Sequence, residues 1–236
     1  MYPANDLPSV PPEERPPHAP GYAQWPAGNS PPAAAPHAAQ AATNQPPRRK
    51  RPKPGERRVQ ILQILSSMLA QPTPERVTTA VLAARLGVSE AGLYRHFASK
   101  AQMLEALIES IEDSVLGQIR QISADKAGPR ADRIVTAVLE YGERNPGMAR
   151  VMAGDALVGE HERLQQRMTQ FFNKLEAALL QGLRDEAPLA SDFNAQLKAS
   201  ILSAYIAGRL QHYARSGFQH RPTELLEPSL RKILLA

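Results

Sequence analysis

From Arg57 to the end of the chain, apolar residues recur at the three- and four-residue spacing of an amphipathic helix. In "RRVQILQILSSMLAQ" they are Ile61, Leu62, Leu65, Met68 and Leu69. In "KAQMLEALIESIEDSVLGQIRQI" they are Met103, Leu104, Leu107, Ile108, Ile111, Val115, Ile119 and Ile122, one stripe about six turns long. Glu105, Glu109, Glu112 and Asp113 fall off that stripe, and the last three read as a solvated acidic face. The spacing predicts further helices over about 130–144, 146–157, 159–184 and 193–216, and a short one near 223–235. No stretch of strand length alternates with period two. The expected fold is all-α.

Within this helical pattern, "VTTAVLAARLGVSEAGLYRHFASK" stands out for its punctuation. Thr78 is a good N-cap for a short helix whose apolar positions are Val81, Leu82, Ala84 and Leu86. Gly87 supplies the left-handed residue that ends it, and Val88 packs beneath the turn. Ser89 caps a second helix, "EAGLYRHF", in which Leu93 and Phe97 lie four apart and face the core. Ser99 and Gln102 open the next helix as a capping box. Two short helices around a Gly-containing turn form a DNA-binding helix-turn-helix. Glu90, Ala91, Gly92, Tyr94, Arg95 and His96 remain for the outer faces, and the small Ala91 and Gly92 let the backbone approach base edges. Thr78, Thr79, Ser89 and Lys100 complete the expected DNA-binding set, in which the amides capped by Thr78 and Ser99 and the Lys100 charge face phosphate.

Ahead of Arg57 the periodicity stops. Residues 1–56 hold 15 of the 22 prolines, so this segment is expected to be a disordered tail with too little apolar surface to offset the entropy of ordering. It ends in "RRKRPKPGERR", where seven of eleven residues are basic. Arg48, Arg49, Lys50, Arg51 and Lys53 are expected to add sequence-independent contact with phosphate. The formal charge of +5 agrees with a polyanionic partner. The expected division is 1–56 for the tail, 57–104 for the DNA-binding domain and 105–236 for a helical dimerisation and partner-binding domain. With no cysteine, disulfides and cysteine metal sites are excluded, which fits a reducing cytoplasm. No secretory signal or membrane-length apolar run is visible, so no membrane anchor is expected.

Catalysis is not expected. "HERLQ" at His161 lacks a second histidine four residues on, and no nucleophile elbow, phosphate-binding loop or dinucleotide fingerprint occurs. No metal site or cofactor follows from the residues. The helix around "KASILSAYIAGRLQHYARSGF" has Leu197, Ile201, Tyr205 and Leu210 near helical spacing, with alanines and Gly208 that permit close approach. Together with "ERLQQRMTQFFNKLEAALLQGLR" it is expected to form a two-fold homodimer contact rather than a ligand pocket. "YGERNPG", Tyr141–Gly147, is a helix–helix corner in which Asn145 reads as an N-cap and Pro146 as the first helical residue. Glu143 and Arg144 are not needed for such a corner. They form either a helix-end ion pair or a surface for a partner.

"G-V-S-x-x-x-L-Y-x-H-F-x-S-K" resembles the signature of the TetR family. The resemblance covers about 57–236 and implies three N-terminal helices for DNA and a larger helical domain that dimerises on a palindromic site. Four blocks, "VSEAGLYRHFASKAQML", "LIESIEDSVLGQI", "YGERNPGMARVMAGDAL" and "RSGFQHRPTE", further resemble the nucleoid occlusion factors within that family. That likeness implies a cytoplasmic, nucleoid-associated homodimer that binds palindromic DNA. It also implies antagonism of polymers of the tubulin-like division protein FtsZ. Arg144 and Asn145 match the family pattern for the FtsZ-facing surface, with Glu143 beside them. Ser110 stands where the pattern has an aromatic, Gln118 where it has a basic residue, and Glu140 where it has glycine. A ligand-responsive TetR-type repressor is the alternative expectation, although no small-molecule ligand is expected for the nucleoid occlusion reading.

Overall fold

A computed structural model describes residues 55–73, 77–125, 128–186 and 191–235. The tail expected over 1–56 lies almost entirely outside them, as do Arg48, Arg49, Lys50, Arg51 and Lys53. The described chain is helical, with no strand among its residues. In order the helices are α1 Glu56–Leu69, α2 Thr79–Leu86, α3 Glu90–Tyr94, α4 Lys100–Ala124, α5 Arg130–Arg144, α6 Pro146–Met152, α7 Glu162–Glu186, α8 Asp192–Arg215 and α9 Leu226–Leu235. A 3-10 turn at Asp155–Leu157 links α6 to α7.

The apolar stripes read from the sequence become the core. In α4, Met103, Leu104, Leu107, Ile108, Ile111, Val115 and Ile119 are buried against α5, α6 and α7. Ile134, Val135, Val138 and Leu139 of α5 face Leu164, Phe171, Leu175 and Leu179 of α7 within the same core. The expected single helix over 146–157 breaks because Gly154 sits in the left-handed region at φ 82°. Leu210, expected at an interchain face, is fully buried within its own chain. It fills the notch left by Gly142, where an added Cβ would stand 2.4 Å from Leu210 Cδ2. The glycine at the end of α5 therefore exists for close packing on α8.

Glu112 departs from the expected solvated face. It lies between α4 and α7 and accepts from Arg167 Nη2 at 2.7 Å and Lys174 Nζ at 3.2 Å. Burial raises its carboxyl, but the hydrogen bonds and charges of Arg167 and Lys174 outweigh that and hold it below the ordinary glutamate range. Glu105 pairs in the same seam with Arg163 at 3.1 Å.

The first helices are fastened to the rest through α6. Gly147 touches α1, and an added Cβ there would lie 2.1 Å from the Ser66 carbonyl oxygen. Three residues on, Arg150 is buried at 4% exposure. Its guanidinium donates to the carbonyls of Leu69 at 2.8 Å and Gln71 at 2.7 Å, at the end of α1. It also donates to the carbonyl of Ala214 at 3.3 Å, in the last turn of α8. The Phe218 ring lies 4.6 Å from the guanidinium carbon, a cation–π contact. Burial lowers the Arg150 side chain from its ordinary value, and the nearby Asp155 acts in the opposite direction.

Two expectations follow. Arg150→Met should destabilise the protein by about 3 kcal/mol, because several buried carbonyls lose their donor at once, and urea unfolding measures it. Glu112→Gln should cost about 1–2 kcal/mol at neutral pH. That difference should fade as pH falls through the depressed Glu112 value, since a protonated carboxyl no longer holds both cations.

Candidate nucleic-acid interface and the α5–α6 corner

The caps read for the two short helices are made. Thr78 accepts from the Val81 amide at 3.2 Å and Ser89 from the Gly92 amide at 3.1 Å. Gly87 is left-handed at φ 64° and turns the chain between α2 and α3. Leu93 and Phe97 are fully buried, which fixes the roll of α3. Ala84 is exposed where it was expected to be apolar packing, and Ala83 takes the buried place. The helical "EAGLYRHF" closes early, with Arg95 and His96 in the turn after α3. The capping box at α4 is shifted by one residue. Ser99 accepts from the Gln102 amide at 3.2 Å, whereas the Gln102 side chain accepts from Ala98 rather than from Ser99.

This roll leaves Glu90, Ala91, Tyr94 and Arg95 on an exposed face. Glu90 accepts from the Thr79 hydroxyl at 2.6 Å, and Tyr94 donates to the same hydroxyl at 3.4 Å. Thr79 of α2 thus orients both polar side chains of α3. Gly92 is half-buried, and an added Cβ would meet only Ser89 Oγ at 3.5 Å and Val88 Cβ at 3.6 Å, ordinary contact distances. Packing within the chain does not demand glycine there, so the space it leaves faces outward. His96 is half-buried, and its carbonyl accepts from Arg58 at 2.6 Å while that guanidinium lies 4.1 Å from the Phe97 ring centroid. Arg58 therefore anchors the end of α3 to α1, a role the sequence does not signal. Lys100, expected to face phosphate, is paired with Glu160 from the loop before α7 at 2.5 Å.

At the corner the residues divide differently from their sequence reading. Asn145 makes no N-cap bond to α6. Its side-chain amide donates backwards to the Tyr141 carbonyl at 2.8 Å and closes the end of α5. Pro146 takes the first helical position as expected. Glu143 and Arg144 do not pair with each other. Glu143 accepts a short hydrogen bond from the Thr223 hydroxyl and lies 3.6 Å from Arg221. Its backbone carbonyl accepts from Tyr213 at 3.2 Å. Arg144 is exposed and, among the described residues, pairs only with Glu140, one turn back, at 3.4 Å. Glu140 is the residue standing where the family pattern has glycine. Ser110 is exposed and Gln118 half-buried on α4.

No group of three or more His, Cys, Asp or Glu side chains able to hold a metal occurs among the described residues. Likewise no described helix is long and apolar enough to cross a membrane.

Comparison with known proteins gives a consistent picture. Residues 67–107 match the bacterial regulatory proteins of the tetR family, and residues 126–234 match the SlmA-like tetracyclin repressor-like C-terminal domain. The nucleoid occlusion factor SlmA of Idiomarina loihiensis is 45% identical over 173 residues, spanning 71% of this chain and 88% of that protein. The SlmA of a Marinomonas species is 46% identical over 179 residues, spanning 73% and 90%. Among solved structures, a TetR-family transcriptional regulator from Bordetella parapertussis superimposes with a TM-score of 0.61 at 21% identity, covering 76% of this chain and 95% of its own. The fatty acid degradation regulator FadR from Bacillus halodurans gives 0.64 at 15% identity, covering 78% and 97%. At such identities these structures speak to the shared fold.

Proposed function

The chain belongs to the SlmA family of nucleoid occlusion factors within the TetR family, and from that premise we propose a DNA-bound homodimer that antagonises FtsZ polymers over the chromosome. The single observation that carries the partner half of this reading is the division of labour at the corner. Glu143 is engaged by its own chain, whereas Arg144 stands at the surface with one exposed partner. An exposed i,i+4 pair contributes only about 0.3–0.5 kcal/mol, so Glu140 does not withhold Arg144 from a carboxylate on another protein.

The DNA half rests on α3. Its outer face carries Glu90, Ala91, Tyr94 and Arg95, and Gly92 leaves room for a base edge or sugar. The half-buried Arg57 on α1 and the exposed Arg85 on α2 add positive charge. Thr78, Ser89 and His96 serve mainly to set helix geometry, and Lys100 would reach phosphate only by leaving Glu160. Support for the homodimer comes from α8. Phe193 (74% exposed), Leu197 (48%) and Ile201 (42%) form an apolar stripe at four-residue spacing. It continues into the exposed Ala204 and Gly208, and an added Cβ at Gly208 would meet nothing within 4 Å. Pairing two copies along this stripe would present two α3 helices to a palindrome. Nucleoid association would follow from the DNA sites.

A ligand-controlled repressor is the second reading, favoured by one observation, a cleft of about 780 Å³ beneath α9. Through Thr223, which lines it and donates to Glu143, the cleft connects to the corner rather than to α2 or α3.

Two measurements check the proposal. Gly92→Ala should leave thermal stability unchanged or raised, by up to about 1 kcal/mol from helix propensity, while weakening binding to a selected palindrome at least about tenfold in gel-shift titration. Sedimentation tests the partner half. FtsZ polymer recovery should fall when the wild-type chain is bound to its palindrome and should be restored by Arg144→Glu, a variant that keeps its DNA affinity. Unchanged recovery with saturating wild-type complex overturns the FtsZ reading.

A further inference from the structure

The cleft lies between the first turns of α5, the last turns of α7, the first turns of α8 and the length of α9. Its volume of about 780 Å³ falls among sites that hold small organic molecules. Leu183, Ala195, Leu226, Leu230 and Leu234 give it an apolar lining. Most polar groups around it are already satisfied. Lys198 Nζ donates to the Leu234 carbonyl at 2.6 Å, and Arg231 pairs with Glu227 at 2.9 Å. Glu186 accepts from the backbone amides of Arg130 and Ala131 and so caps α5. Asp132 is the exception. It lines the cleft, and its Oδ1 is buried without a hydrogen-bond partner among the described residues.

A lone buried acceptor selects what it will bind. An anion inside the cleft would meet Asp132 and Glu186, whereas Lys198 donates to the Leu234 carbonyl and Arg231 lies at the exposed rim beside Glu227. A donor carrying positive charge would give Oδ1 its missing bond and offset the cost of burying the carboxylate. We propose that the cleft is a binding site for a small apolar amine, its ammonium on Asp132 and its hydrocarbon along α9. Burial, with Glu186 nearby, raises the Asp132 carboxyl above its ordinary range, as expected for a carboxylate lacking its partner.

The cleft also has an outlet. Thr223 lines it, and the Thr223 hydroxyl donates to the Glu143 carboxylate on α5. Arg221, two residues before, faces the same carboxylate at 3.6 Å. An occupant that shifts α9 thereby acts on Glu143, next to Arg144. The importance of that corner rests on the partner reading given above, whereas the amine site does not.

Isothermal titration of the full chain with octylamine, and separately with octanoate, tests the site without FtsZ or DNA. Octylamine should bind saturably and octanoate should not. Asp132→Asn should fold with equal or greater stability and bind octylamine at least about tenfold more weakly. Leu226→Trp, which fills the cleft from a half-buried wall position, should abolish binding. Equal binding of octanoate, or full octylamine affinity in Asp132→Asn, overturns the proposal. For the outlet, octylamine should change hydrogen exchange at the Arg144 and Asn145 amides in the wild type but not in Thr223→Val. Unchanged exchange in the saturated wild type overturns the coupling. Because neither readout involves FtsZ, failure of the FtsZ assay alone leaves the amine site standing.

Discussion

The structure turns on one buried cation. Arg150 sits where the ends of α1 and α8 converge, and helix C-termini present carbonyls without intrahelical partners and a partial negative charge. Two such ends would repel and would leave several buried acceptors unsatisfied. A single guanidinium answers both problems, because its donors spread in a plane and it stays charged when buried. Lysine could not span the same carbonyls. Around it the backbone is brought very close. Gly147 admits Ser66 of α1, and Gly217, left-handed at φ 63°, admits Pro72 at 3.3 Å from its notional Cβ. The helix-turn-helix is therefore held on the body by polar satisfaction at its centre and steric fit at its rim. Two helices of one chain, α1 beneath the recognition helix and α8 with its exposed apolar stripe, are locked in a fixed relation. Any dimer formed through α8 inherits its spacing of recognition helices from Arg150.

Much of this was legible in the sequence wherever the cause is local. Helix spacing, the Thr78 and Ser89 caps and the Gly87 turn involve residues within four positions of one another, and the structure has them where they were expected. What the sequence conceals is contact at long range. Glu160 meets Lys100 from 60 residues away, and Arg150 reaches Leu69 across 81. The only sequence sign of Arg150 is one charge inside the otherwise apolar "PGMARVM". Leu210 was misassigned for the same reason. Its helical spacing fits a surface stripe as well as a core, and only the notch at Gly142 decides. On the acidic face Glu109 and Asp113 are exposed as expected, but Glu112 was misread likewise, since the cations that neutralise it come from α7.

The corner shows how one short stretch serves several demands. Gly142 serves α8, Asn145 seals α5, Pro146 starts α6 and Gly147 admits α1. Read as a turn, "GERNPG" explains only Asn145 and Pro146, and it explains Asn145 by the wrong bond. Seen in three dimensions, five of its six residues are committed to the fold. Only Arg144 keeps its side chain at the surface. Its pairing with Glu140 is weak by position and exposure, at 61% and 48% of the side chains.

Commitment and exposure at the corner are physically linked. Glu143 is held by Thr223, Arg221 and, through its carbonyl, Tyr213, and burial together with the Glu143 charge raises the Tyr213 hydroxyl above its ordinary value. Tyr213 in turn packs edge-on against Phe218 at 5.0 Å, the ring that covers Arg150. A continuous path of contacts runs from the α1–α8 junction through Phe218 and Tyr213 to Glu143, and ends beside Arg144. Contacts from the α1–α8 junction, through Tyr213, and from the segment before α9, through Thr223 and Arg221, meet at Glu143. Under the proposed function, a partner that reads Arg144 would meet a surface whose neighbour Glu143 is tied both to the α1–α8 junction and to the segment before α9.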